Sequence, residues 1–195
     1  MLFRLLLLIF LFLPGGLWAS QTVSEGAFIR DAEIEATLKA YIGPIFEAAG
    51  LNPKSLNLFI IHSSEVNAFA MGGGNMAVTT GLLLKANSAL QVIGVFAHET
   101  AHLAGNHISR GADAYDKAVL QGWLGTLGGV AAVLAGSPEA GMGLILGSQE
   151  LAKSHFLKFS RTQESSADQG AARFLDKLGW PSRGLLEFMQ ILHKD

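Results

Sequence analysis

Ser88-Ala89-Leu90-Gln91-Val92-Ile93-Gly94-Val95-Phe96-Ala97-His98-Glu99-Thr100-Ala101-His102 is the stretch on which the reading of this chain turns. Ser88 stands where a helix N-cap belongs, and the apolar residues Leu90, Val92, Ile93, Val95, Phe96 and Leu103 predict a long helix reaching the neighbourhood of residue 108. Its second half carries His-Glu-x-x-His. Residues four apart on a helix share a face, so the imidazoles of His98 and His102 can turn toward one ion, while Glu99 sits beside that ion without sharing the direction of His98. A zinc ion in such a place lowers the pKa of a water toward about 7, and a neighbouring carboxylate can take the water's proton and later protonate a leaving amine. At this chain's own His and Glu frequencies the pattern arises by chance in roughly 1% of sequences of this length. The motif also lies inside an apolar helix, where unpartnered polar groups are costly. Together these points predict a metal site with a general base, suited to hydrolysing a peptide bond.

A catalytic zinc site uses three protein ligands and leaves one position open. Two candidates stand for the third. His107 nearly continues the motif into H-E-x-x-H-x-x-G-x-x-H, with Gly105 in place, but that pattern needs its last His at position 108, which is Ile108. On an unbroken helix, His107 is nine residues from His98, about half a turn out of phase, and faces away. The other candidate is Glu164, in Arg161-Thr162-Gln163-Glu164-Ser165-Ser166-Ala167-Asp168. Glu164 and Asp168 are four apart and share a helix face, so Glu164 can complete a His, His, Glu set. Asp168 can then accept the second ring N–H of a ligating His and hold its tautomer.

Upstream, Ile34, Leu38, Tyr41, Ile42, Ile45 and Phe46 recur at helical spacing after Asp31, with a stop at Gly50 and a kink expected at Pro44. Three short β-type segments follow at 56–61, 66–71 and 76–80, separated by Ser63-Ser64-Glu65 and Gly72-Gly73-Gly74-Asn75, and they predict a small antiparallel sheet. Downstream lie two Gly- and Ala-rich apolar stretches, 118–135 and 141–146, broken by Gly136-Ser137-Pro138-Glu139. Helices are expected over 148–159 and 162–178, with a last one opening at Pro181-Ser182. The fold class expected is α+β, mainly helical with a small sheet.

Three segments in order resemble the BepA- and HtpX-like zinc metallopeptidases, the family that also includes the CAAX prenyl endopeptidase. They are Asn67-Ala68-Phe69-Ala70 with Gly72-Gly73 and Thr80-Gly81-Leu82, then His98 to His102, then Phe159-Ser160-Arg161 through Glu164 to Ala167-Asp168, bracketing about half of the chain. The resemblance implies a zincin-like domain of gluzincin type, with His98, His102 and Glu164 on zinc and Glu99 as general base. It further implies membrane-associated or misfolded envelope proteins as substrates, and a sheet edge at Asn67 to which an extended peptide can add. The further His-containing segment of some relatives and the tetratricopeptide extension of BepA-like members have no counterpart in these 195 residues, so functions tied to them are not carried over.

Composition narrows the setting. The first residues read as a secretory signal over 1–19, with Arg4, an apolar run over 5–13 and Ala19 at the cleavage point, leaving a metallopeptidase domain over 20–195. Without Arg4, 13 basic side chains face 16 acidic ones, which argues against nucleic acid as a partner. With no cysteine, disulfides and Cys-ligated zinc are excluded, and a metal must be held by His and carboxylate. Gly122, Gly125, Gly128 and Gly129 would let another helix approach closely, so residues 118–147 are expected to form a hairpin that is buried or dips into a membrane as a peripheral contact. The resulting expectation is a zinc endopeptidase of the periplasm, with unfolded or membrane-associated proteins as partners. Its rival is a chaperone or adaptor with a structural zinc, which has no use for Glu99.

Overall fold

The computed structural model describes residues 23–192. The leader expected over 1–19 and the terminal His193-Lys194-Asp195 lie outside the described residues.

Strand β1 (Phe28–Ile29) leads into helix α1 (Ala32–Ala48). Asp31 caps α1, its carboxylate accepting the N–H groups of Glu33 and Ile34 at 3.0 Å each, and the helix runs through Pro44. After a short turn come β2 (Asn57–Ile61), β3 (Ala68–Gly72) and β4 (Asn75–Thr79), then α2 (Thr80–Lys85), α3 (Ala89–Ala104), α4 (His107–Leu134), α5 (Pro138–Lys177) and α6 (Arg183–Leu192). The expected α+β class holds.

The sheet is mixed, which corrects the antiparallel reading. Its order is β1-β2-β4-β3: β1 runs antiparallel to β2, and β3 to β4, but β2 and β4 are parallel. The tight Gly73-Gly74 turn forces β3 and β4 into a hairpin, and β4 then takes the place beside β2 that a simple meander would assign to β3. The central position of β4 explains why Met76, Ala77, Val78 and Thr79 are all buried. It also leaves β3 on the edge. The two-residue β1 is too short to show a period and is not legible from sequence.

Apolar faces of α1 (Leu38, Ile42, Ile45, Phe46), of the sheet (Leu58, Ile60, Met76, Val78) and of α3 (Val92, Val95, Phe96) close one core with Ala171 and Leu175 of α5 and Phe188 of α6. Two glycines set the spacing of the α3–α6 crossing. A Cβ on Gly94 would meet the backbone of Leu185, and one on Gly184 the backbone of Leu90.

Two helix boundaries differ from expectation, and both matter for the site. The motif helix does not reach residue 108. It stops at Gly105, and Asn106 adopts the left-handed conformation at φ 52°, ψ 37°, so that α4 starts on a new axis at His107. Asn is among the few residues that take this conformation readily. Conversely, the three segments expected over 141–146, 148–159 and 162–178 are one continuous 40-residue helix, α5. Ser148 and Thr162 do not start helices. Their hydroxyls bond back to the carbonyls of Ile145 and Lys158 within the running helix, at 2.9 Å each.

Helices α4 and α5 pair as a long antiparallel hairpin. Gly125 lies against Ser148, and Gly129 and Gly141 lie against each other, so closely that a Cβ on any of them would collide; Gly122 and Gly128 face open space. The hairpin is not a core element, which removes the buried alternative for residues 118–147. Leu120, Trp123, Leu124, Leu127 and Leu134 of α4 and Leu144 and Leu146 of α5 are all exposed. Among the described residues, α4 alone is long and apolar enough by length and composition to cross a membrane.

Candidate metal centre

The site forms where α3 crosses α5, beside edge strand β3. The crossing is close because Gly170 of α5 sits on Ala101 of α3, where an added Cβ would fall 2.8 Å from the alanine methyl. Ala101 is buried, and so is Thr100, whose hydroxyl donates to the carbonyl of Phe96 at 2.7 Å. Thr100 anchors the inner face of α3, while His98, Ala101 and His102 lie together on the face turned toward α5.

There Nε2 of His98 and Nε2 of His102 lie 3.0 Å apart. A Glu164 carboxylate oxygen stands 3.3 Å from the first, and its other oxygen 3.6 Å from the second. One donor atom from each of His98, His102 and Glu164 falls within 4.8 Å of the others. Glu164 is far from the histidines in sequence, and the α4–α5 hairpin is the intervening chain that returns it.

The donor set fits a cation. Nδ1 of His98 is 2.9 Å from Oδ1 of Asp168, a carboxylate that can only accept, so the proton of a neutral His98 sits on Nδ1 and Nε2 presents its lone pair. A second imidazole nitrogen and a carboxylate oxygen crowd the same point. Three electron-rich atoms converging there repel one another unless positive charge lies between them. Two nitrogens and one carboxylate oxygen are the donor types that zinc accepts, with room for a fourth position.

Glu99 points elsewhere. Its Oε2 accepts the N–H of Ala70, on the outer edge of β3, at 3.0 Å. Burial pushes the Glu99 carboxyl up to about 7, against the opposing influences of His98 and the Ala70 N–H. A carboxyl held there changes protonation state near neutrality, as a proton-transfer group must. Burial likewise holds His102 and His107 below the ordinary histidine value.

His107, expected to face away, does not. That expectation assumes an unbroken helix. With the break at Gly105-Asn106, the buried His107 ring turns back onto the site, and its Nδ1 lies 3.2 Å from Nδ1 of His102. It is not among the three converging donors. The Gly105-Asn106 pair is a helix stop signal that stands in the sequence and would have predicted the break. Gly170, which sets the helix spacing, carries no legible signal at all.

Residues 29–194 match Peptidase family M48. The chain belongs to peptidase family M48. The family is one of metalloproteases, hydrolases of peptide bonds. Similar proteins include the beta-barrel assembly-enhancing proteases of Escherichia coli (strain K12), 28% identical over 136 residues, and of Yersinia pestis, 26% identical over 136 residues. A putative beta-barrel assembly-enhancing protease of Vibrio cholerae is 28% identical over 130 residues. The matches cover 70%, 70% and 67% of this chain but only 28%, 28% and 27% of those proteins. This M48 chain therefore spans less than a third of the length of these relatives.

Proposed function

We propose that this M48 chain is a zinc-dependent endopeptidase of the cell envelope that cleaves misfolded or membrane-associated proteins. The observation that carries the reading is the convergence of His98, His102 and Glu164 beside a Glu99 carboxyl held against a sheet edge. His98, His102 and Glu164 hold the zinc ion, which when bound supplies Lewis-acid polarisation of a carbonyl and an acidified water. Asp168 holds His98 in the tautomer that leaves Nε2 free. Glu99 takes the proton of the attacking water and passes it to the departing amine.

Substrate reaches this chemistry along β3. In the β3–β4 ladder the N–H of Thr79 donates to the carbonyl of Asn67, so by alternation the polar groups of Ala68 and Ala70 are directed to the free edge, where Glu99 holds the N–H of Ala70. An extended chain added there through main-chain hydrogen bonds would lie beside Glu99 and be read with little dependence on its side chains. Broad tolerance of that kind suits unfolded proteins as substrates.

The setting follows from two further features. The stretch over 1–19 acts as a cleaved export signal, which puts the mature domain, 20–195, in the periplasm. The tip of the α4–α5 hairpin dips into a membrane. Between Ala118 and Gln149 the sole charged side chain is Glu139, and the exposed leucines and Trp123 give the hairpin an apolar surface of the kind that lipid covers. Along the hairpin, Tyr115, Trp123, Lys153 and Phe156 line an open groove of about 470 Å3.

The deciding experiment compares zinc-loaded wild type with Glu99→Gln on an unfolded outer-membrane protein, with His98→Ala as the metal-free control. The reading requires cleavage by wild type alone. Equal binding of the unfolded protein by all forms, with no cleavage by wild type, would replace the peptidase with the chaperone or adaptor reading.

A further inference from the structure

We infer that His107 is a positioning residue for the metal centre: it fixes the tautomer and ring orientation of His102, as Asp168 does for His98. The inference rests on the metal-site reading above and deepens it. Nε2 of His102 is the atom turned toward His98 and Glu164, so Nδ1 must carry the proton when His102 offers a lone pair to a cation. Nδ1 of His107 lies 3.2 Å from that nitrogen, with the two rings edge to face, their planes at 86° and centroids 5.0 Å apart. His107 must then accept, which makes it the Nε2–H tautomer. Each imidazole of the pair thus has its inner nitrogen committed to a different neighbour, a carboxylate in one case and an imidazole in the other. Ligating histidines are commonly held through their second nitrogen, and losing that partner costs about 10–100-fold in metal affinity.

Three features of the structure serve this contact. Asn106 in the left-handed conformation breaks the helix and turns His107 back. The ring is then buried. Gly105, at φ −78°, could hold any side chain without backbone strain, yet a Cβ there would collide with Nε2 of His107 and come within 2.6 Å of its Cδ2. Glycine at 105 is therefore required by the His107 ring and not by its own conformation.

The test uses the full mature chain and zinc itself, with affinity measured by competition against a chromophoric chelator and the melting temperature of each metal-free protein recorded beside it. His107→Leu keeps the bulk but removes the acceptor, and zinc affinity should fall about 10–100-fold. His107→Asn places an oxygen close to where Nδ1 stood and should recover most of that loss, which a purely packing role would not predict. Gly105→Ala should weaken zinc binding in the wild-type background but not in His107→Ala, where there is no ring to displace. Zinc affinity in His107→Leu equal to wild type, or in His107→Asn as weak as in His107→Leu, overturns the inference. Wild type that binds no zinc overturns the metal-site reading itself, and the inference with it.

Discussion

Replacing Glu99 with Gln separates the catalytic from the structural consequences of one buried carboxyl. In the metal-free protein burial lifts Glu99 from 4.5 to about 7. A group whose folded value lies above its unfolded value favours folding below the unfolded value and loses that contribution as pH rises toward the folded one. Between pH 4.5 and 7, ionising Glu99 therefore costs about 3 kcal/mol, at about 1.4 kcal/mol per pH unit. The amide introduced by Glu99→Gln has no proton to lose, and its carbonyl can still accept the Ala70 N–H. In chelator, wild type should lose on the order of 2–3 kcal/mol of stability relative to Glu99→Gln between pH 5 and pH 8, read from urea denaturation at both values. Zinc-loaded Glu99→Gln should bind the metal normally but cleave an unfolded protein at least about 10²-fold more slowly, since it cannot take the water's proton. Parallel pH dependence in the two metal-free proteins would refute the electrostatic argument. Cleavage by Glu99→Gln at the wild-type rate would refute the proposed role.

Other expectations follow from the same geometry. Glu164→Gln should lose zinc measured by metal analysis, whereas Asp168→Asn should retain it with affinity lowered by about 10–100-fold. Gly170→Leu should drive α5 from Ala101 and separate Glu164 from the two histidines, so that zinc affinity falls even though no ligand is altered. Gly94→Ala, whose new methyl meets the Leu185 backbone, should destabilise the fold by about 1–3 kcal/mol in denaturant while sparing zinc affinity per folded molecule. If the α4–α5 tip enters lipid, Trp123 fluorescence should shift to the blue with phospholipid vesicles, and Leu124→Asp with Leu127→Asp should weaken that partitioning at least about tenfold. An unchanged spectrum would argue against membrane contact.

Much of the chemistry could be read along the chain because it depends on local periodicity. His98 and His102 share a helix face by spacing alone, Glu99 diverges from them for the same reason, and the lack of cysteine limits any metal to nitrogen and oxygen donors. The α+β class, the capped start of α1 and the stop after it are likewise local matters of period, cap and glycine. What the sequence left open were relations between distant segments. Whether β3 or β4 lies beside β2 is decided by packing against α1 and α3, and the answer leaves β3 as the free edge next to Glu99. Glu164 and the two histidines meet only because Gly170 lets two helices touch. His107 turns on one left-handed residue: an unbroken helix would carry it away from the site, and the break at Asn106 folds it onto His102. Such outcomes rest on steric fit between elements brought together by burial, which periodicity within each element does not encode.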